Sequence, residues 1–172
     1  MNTMRWFGAV TLTAALTVPA PAQEPPKPGP ELEVLKKLVG TWDLTMKFDG
    51  MESKGTVTYK MDLGGLWLAS DLQSEFAGQK ISGRGFDSYD PAKKKYVGIW
   101  MDSMSTSPLV TEGTFDQATK TLTMAGEGPG MDGKPTKYKS VSVMPDDDTI
   151  NVTMHIGDGK DPAFTFVYKR RK

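Results

Sequence analysis

One strand-like segment carries most of the side chains that could bind a small molecule. Along residues 95–104, Tyr96, Trp100 and Met104 share one side of an alternating pattern, and Asp102 lies among them. An apolar wall with one carboxylate is typical of a ligand pocket, because the carboxylate orients a polar group while the wall holds the rest. We therefore predict that this side faces the interior of the fold.

The same segment admits the opposite alternation. Val97, Ile99 and Met101 would then face inward, and Asp102 would lie in water. Because both sides are apolar, one side is expected to contact a helix, a second copy of the chain or a ligand. A homo-oligomer is therefore compatible with this pattern.

Methionine and tryptophan residues elsewhere extend the candidate pocket. We add Met46 and Trp67 to the predicted ligand-binding residues, since both lie in other strand-like segments. Methionine is flexible and adapts its shape to an apolar ligand. The alternative is that these side chains simply fill the core.

Catalytic and metal-binding patterns are weak. The chain has a single histidine, His155, on the polar side of an alternating run, so neither a haem ligand nor a zinc site is favoured. The hydroxyl-rich run 103–107 has no histidine base nearby, which argues against a catalytic triad. An enzyme using Asp102 or Glu112 as an acid or base stays an alternative, and we assign no catalytic residue, metal or cofactor.

Alternating polar and apolar residues dominate the chain after residue 40, and turn residues separate the runs. One or two helical turns are predicted within 31–39, where leucines recur at helical spacing. Ten strands are predicted at 42–48, 56–61, 66–76, 80–87, 95–104, 108–115, 121–126, 136–144, 149–156 and 163–169. Since no long helix separates these runs, the pattern indicates an all-β fold, an antiparallel up-and-down barrel of eight to ten strands. Glycines within the strands indicate the bends that close a barrel.

The N-terminal residues have the pattern of an export signal. Arg5 precedes an apolar stretch at 6–18, and Ala20-Pro21-Ala22 matches a cleavage site that would leave Gln23 first. We therefore expect a signal peptide at 1–22, a proline-rich linker at 23–30 and one barrel domain at 31–172. The apolar stretch is too short to span a bilayer, so no membrane insertion is expected after cleavage.

Composition narrows the expected partners and location. The 172 residues include 21 basic and 21 acidic side chains, which does not favour a nucleic-acid partner. The chain has no cysteine, so disulfides are excluded, and lipid anchoring through a cleavage-site cysteine is excluded too. The expected location is periplasmic or secreted, without a lipid anchor.

The segment Gly40-Thr41-Trp42 resembles the opening signature of lipocalin-like, or calycin, barrels. In those barrels a late arginine stacks on the tryptophan, and Lys169, Arg170 or Arg171 could do so here. Together with segments 61–68, 83–91, 95–107 and 112–116, this signature is similar to the DUF1579 family of uncharacterised bacterial proteins, over roughly residues 35–168. The resemblance implies a calycin-like fold and carries no activity or catalytic residue.

These observations lead to one functional hypothesis and one structural alternative. The hypothesis is a carrier or sensor for a small hydrophobic molecule inside the barrel. The alternative is an interaction module whose barrel is filled by its own side chains. An interior cavity larger than about 300 Å³ would favour binding.

Overall fold

The computed structural model describes residues 26–76, 78–130 and 132–172. The predicted signal peptide at 1–22 lies outside these residues. The described part begins with a 3₁₀ turn at Pro30–Leu32 and the short helix α1, Glu33–Lys36. The ten strands that follow are β1 Gly40–Phe48, β2 Met51–Asp62, β3 Trp67–Phe76, β4 Gln79–Asp90, β5 Lys95–Asp102, β6 Leu109–Asp116, β7 Thr121–Pro129, β8 Pro135–Asp146, β9 Thr149–Ile156 and β10 Phe164–Arg170. No helix in the described residues is long and apolar enough to cross a lipid bilayer.

The strands form a closed antiparallel barrel in which each strand pairs with its neighbours in sequence. The first and last strands close the ring, with Trp42 opposite Arg170 and Phe48 opposite Phe164. Closure pairs the backbone groups that the edge strands of an open sheet would expose. The predicted barrel is confirmed, at ten strands with a short N-terminal helix.

The loop between the fifth and sixth strands is longer than the sequence predicted. β5 ends at Asp102 and β6 begins at Leu109, so Met104 lies in the loop between them. The Asp102 carboxylate accepts a hydrogen bond from the Met104 backbone N–H at 2.9 Å. The Ser105 hydroxyl accepts another from the Ser107 N–H at 3.0 Å. These local bonds end the strand, because they offer the backbone partners outside the sheet.

The helix closes one end of the barrel, which we call the helix end. Leu32 and Leu35 are buried there, together with Leu38 from the turn after α1. They pack against a cluster of buried side chains from the adjoining strands: Trp42, Val57, Leu68, Tyr96, Met124 and Ile150. The opposite end, which we call the open end, carries the turn at 49–50 and the loops at 103–108 and 157–163.

Trp42 is the centre of the plug at the helix end. Its side chain is 1% exposed, and its indole Nε1 donates a hydrogen bond to the Leu38 carbonyl at 2.8 Å. The Arg170 guanidinium lies 4.2 Å from the centre of the indole ring, a cation–π contact. Of the three basic residues that could stack on this ring, the structure therefore selects Arg170.

Arg170 also joins the last strand to the end of the helical segment. Its guanidinium donates to the carbonyls of Lys37 and Val39, each at 2.7 Å. Gly40 has φ +134°, and a Cβ there would lie 2.9 Å from Arg170 Nη1. The glycine of the Gly-x-Trp signature therefore provides both an unusual backbone angle and space for the arginine.

Replacing the plug residue tests its contribution to stability. We expect Trp42→Ala to lower the free energy of unfolding by about 3 to 5 kcal/mol, because it leaves a large cavity under the helix. Trp42→Phe keeps an apolar ring and loses the indole N–H, so a loss of about 1 to 2 kcal/mol is expected. Urea unfolding followed by circular dichroism measures both. A loss below about 1 kcal/mol for Trp42→Ala would contradict the plug.

Candidate ligand-binding cavity

The interior of the barrel is filled at the helix end and hollow beyond it. A cavity of about 440 Å³ is lined by inward-facing residues of all ten strands. Leu35 and Leu38 form its floor, and Met104 and Leu109 lie at its open end. Most of its wall is aliphatic or aromatic: Leu44, Leu72, Leu122, Ile150, Val152, Ile156, Phe164 and Phe166. Five methionines line it as well: Met46, Met104, Met124, Met144 and Met154.

Trp100 forms a flat wall on the β5 side. A Cβ at Gly83 would lie 2.3 Å from Trp100 Cζ2, and a Cβ at Gly85 would lie 3.1 Å from Cε3. The indole therefore lies over two glycines of the neighbouring strand β4, where any other residue would displace it. Its Nε1 donates a hydrogen bond to the Asp102 carboxylate at 2.9 Å, which fixes the ring orientation.

Aromatic rings form the wall on β10. The ring of Phe164 is 6.0 Å from that of Phe166, which is 6.4 Å from the ring of Tyr168, all close to parallel. Phe48 stacks on Phe164 at 4.5 Å and extends the series at the open end. Because β5 and β10 are five positions apart in a ring of ten strands, Trp100 and these rings occupy opposite sides of the barrel. A flat apolar group between them would contact aromatic surface on both sides.

Asp87 is a carboxyl group enclosed within the barrel. It lines the cavity from β4, beside Gly98 of β5, where a Cβ would lie 2.5 Å from its Oδ1. Burial raises the pKa of Asp87 from 3.8 to about 7, since an apolar surrounding disfavours the charged form. Among the described residues, none donates a hydrogen bond to its side chain. Asp87 is therefore a polar group that faces the cavity without a hydrogen-bond donor from the part of the chain that the structure describes.

Two tyrosines share the interior with Asp87. Burial raises the pKa of Tyr168 to about 12. The pKa of Tyr59 is raised well above its ordinary value, chiefly by burial and further by Tyr168 and Asp87. Both phenols are therefore neutral at physiological pH and offer O–H groups to the cavity.

Charged side chains of one sign line this cavity. Asp87 and Asp102 carry its carboxyl groups, and the described residues place no lysine, arginine or histidine on its wall. Both side-chain oxygens of Asp102 are already engaged, by the Trp100 indole and the Met104 N–H. Asp87 is thus the carboxyl group of this cavity to which no described residue donates a hydrogen bond.

Four of the six predicted ligand-binding residues lie on the cavity wall: Met46, Trp100, Asp102 and Met104. The alternation of β5 accounts for Trp100 and Asp102, whereas Met104 lines the cavity from the loop after the strand. Trp100 faces inward, whereas Ile99 and Met101 are 38% and 43% exposed on the outer side. This is the alternation that the sequence analysis favoured.

Tyr96 and Trp67 do not reach the cavity, which corrects their expected placement. Tyr96 shares the inward side of β5 but belongs to the plug, where its hydroxyl donates to the Glu31 carbonyl at 2.8 Å. It lines a separate surface hollow of about 590 Å³ beside the helix. Trp67 precedes Leu68, which is fully buried in the plug, so the alternation of β3 turns Trp67 away from the interior.

Two other residues weighed in the sequence lie outside the cavity. Glu112 is on the outer surface, ion-paired with Lys95 and with Lys93 at 3.3 Å, and these bonds lower the pKa of its carboxyl group. It cannot act as an acid or base on a molecule inside the barrel. His155 lies between Met154 and Ile156, whose side chains line the cavity, and therefore faces outward. No group of three or more potential metal-binding side chains occurs within the described residues.

Sequence reasoning missed Asp87, which follows Gly83 and Gly85 at a spacing of two. The signal was present in that spacing, because alternate residues of a strand share one face. Glycine carries no hydrophobic signal, so the inward face of β4 could not be recognised from its apolar residues. Tyr59 and Tyr168 were predicted in strands but not assigned to the site.

The raised pKa of Asp87 predicts a pH-dependent stability. Between about pH 4 and 7 the folded protein keeps a proton that the unfolded chain releases, so stability falls as pH rises through this range. Asp87→Asn removes this effect. We expect the variant to gain stability relative to the natural protein, by about 1 to 3 kcal/mol more at pH 8 than at pH 5.

Urea unfolding at both pH values measures this difference. Asp71→Asn is the matched control, because Asp71 lies on the adjacent strand with its side chain 43% exposed and 3.2 Å from Arg84. It should show no comparable dependence on pH. Equal responses of the two variants would show that Asp87 is not enclosed.

Comparison with solved structures supports the barrel. Rv2717c from M. tuberculosis has a similar crystal structure, with a TM-score of 0.59 and 14% sequence identity, covering 85% of this chain and 100% of that one. A redesigned β-barrel, b11L5F_LGL, is similar at a TM-score of 0.45 and 16% identity, covering 81% of this chain and 96% of that one. At such identities the first similarity shows the fold only. No curated protein matches the sequence.

The family comparison covers most of the chain. The family described as "Protein of unknown function (DUF1579)" matches residues 27–170, which include the plug, all ten strands and the cavity. The chain therefore belongs to the DUF1579 family.

Proposed function

We propose that this protein is an exported binding protein that holds a small hydrophobic molecule inside its barrel. The observation that carries the proposal is the cavity of about 440 Å³ beyond the plug. Its volume falls within the range of roughly 300 to 1,000 Å³ that small-molecule sites occupy. Export is supported by the N-terminal signal pattern.

The character of the wall supports an apolar ligand. Trp100 and the β10 rings offer aromatic surface on opposite sides, and the five methionines offer flexible contact between them. Polar groups are few and lie inside an otherwise apolar wall, an arrangement that orients a ligand. Asp87 and Tyr59 are two of the polar groups on this wall.

The alternative, a barrel filled by its own side chains, describes the interior at the helix end but not beyond it. Large buried side chains such as Trp42, Leu35 and Leu68 fill the barrel there. Beyond them, Ser70, Ser140 and Ser142 occupy inward positions where larger side chains would fill the space. A wall that alternates aromatic and small residues leaves room for another molecule.

Binding of a neutral hydrophobic probe tests the proposal. We expect N-phenyl-1-naphthylamine to bind saturably, with a rise in its fluorescence. Trp100→Ala should weaken binding about three- to tenfold, because aromatic stacking contributes about 0.5 to 1.5 kcal/mol. Met101→Ala changes the outer face of the same strand and is the matched control, with affinity unchanged.

Two results would contradict this function. Absence of saturable binding by this probe would favour the filled-barrel module. Equal weakening by Trp100→Ala and Met101→Ala would place the probe outside the barrel.

A further inference from the structure

We infer that the ligand of this cavity is a hydrophobic amine whose protonated nitrogen binds the Asp87 carboxylate. This inference rests on the proposed binding function and adds the chemical class of the ligand. It follows from the charge of the cavity, from the position of Asp87 relative to the aromatic walls, and from the finding that no described residue donates a hydrogen bond to Asp87.

The charge of the wall selects against anions. The wall carries two carboxyl groups, Asp87 and Asp102, and no basic side chain of the described residues lines it. A carboxylate ligand such as a fatty acid would bring a second negative charge into an apolar interior, where repulsion is poorly screened. A cationic ligand would instead be attracted by the carboxyl groups of the wall.

Asp87 lacks the partner that a buried carboxylate normally has. Buried ionised groups in proteins are paired or hydrogen-bonded, because leaving water without compensation is costly. Asp102 has two donors from the protein, but Asp87 has none among the described residues. An ammonium group supplies three N–H donors and the compensating charge.

The position of Asp87 fits a ligand that enters from the open end. Asp87 on β4 lies opposite Leu68 of the plug on β3. Trp100 on β5 lies opposite Gly85, which is two residues nearer the open end of β4 than Asp87. A ligand whose nitrogen contacts Asp87 would therefore extend its apolar part between Trp100 and Phe166. The Thr111 hydroxyl lies beside Gly98 of β5, as the Asp87 carboxyl group does. It therefore offers a second polar group to the nitrogen or to a bound water.

The ionisation of Asp87 makes the affinity for an amine dependent on pH. Since its pKa is about 7, the carboxylate fraction rises about tenfold from pH 6 to pH 8. The other titratable groups on the wall are Asp102 on β5 and the tyrosines Tyr59, Tyr138 and Tyr168 on β2, β8 and β10. The pKa values of these three tyrosines are raised, so they stay neutral in this range. Affinity for a protonated amine should therefore rise with pH, whereas affinity for an alcohol should not.

The test compares three compounds that differ in one group: 1-naphthylmethylamine, 1-naphthylmethanol and 1-naphthoate. Calorimetric titration at pH 8 should show the amine binding about 10- to 100-fold more tightly than the alcohol, as expected for a charge-assisted hydrogen bond, with naphthoate weakest. Affinity for the amine should fall about tenfold at pH 6, and that for the alcohol should stay constant.

Two variants assign the effect to one carboxyl group. Asp87→Asn should remove the preference for the amine and its pH dependence while retaining affinity for the alcohol, which also shows that the variant is folded. Asp71→Asn removes an exposed carboxylate from the adjacent strand β3, outside the cavity, and should retain both properties of the natural protein.

Each alternative outcome has one meaning. Equal binding of amine and alcohol, or tightest binding of naphthoate, would overturn the inference and leave the proposed function intact. A preference for the amine that persists in Asp87→Asn would also overturn it. Failure of all three compounds and of the neutral probe to bind would reject the binding function itself.

Discussion

The contact between Trp42 and Arg170 is the interaction on which the rest of the structure depends. It links the first strand of the barrel to the last, 4.2 Å from guanidinium to ring centre, and both residues also bind carbonyls of the segment after α1. One cluster therefore closes the ring of strands and fixes the helix over one end. Because packed side chains fill the barrel interior at the helix end, the interior cavity lies towards the open end. The plug thus determines where the cavity lies.

Small residues on β4 and β5 determine the shape of that cavity. Gly83 and Gly85 let the Trp100 indole lie flat against the wall, and Gly98 gives space to the Asp87 carboxyl group. The sequence analysis interpreted strand glycines as bends that close the barrel. At these three positions they also make space for a neighbouring side chain, and the two side chains so accommodated are the aromatic wall and the polar anchor of the candidate site.

The fold was accessible from the sequence because alternation and turn residues are local signals. Each predicted strand overlaps one of the ten observed strands, with bounds that differ by up to five residues, and the helix α1 lies within the predicted helical segment. The inward position of Trp100 follows from the apolar side that also carries a carboxylate. The sequence carries no comparable local signal for how far along the barrel axis a side chain lies. Tyr96 and Trp100 share one face of β5, yet one belongs to the plug and the other to the cavity. Asp87 was missed because the residues before it on the same face are glycines, which give no hydrophobic signal. Trp67 was misplaced because an aromatic residue at the start of a strand does not show which face of the sheet it lies on.

We propose that the barrel, hollow beyond its plug, can be entered by an apolar molecule. Crystals of the protein pressurised with xenon test this claim directly, because xenon occupies accessible apolar cavities independently of any ligand chemistry. We expect xenon density inside the barrel between Trp100 and Phe166. An interior filled by the protein's own side chains, with no xenon between these two residues, would contradict it.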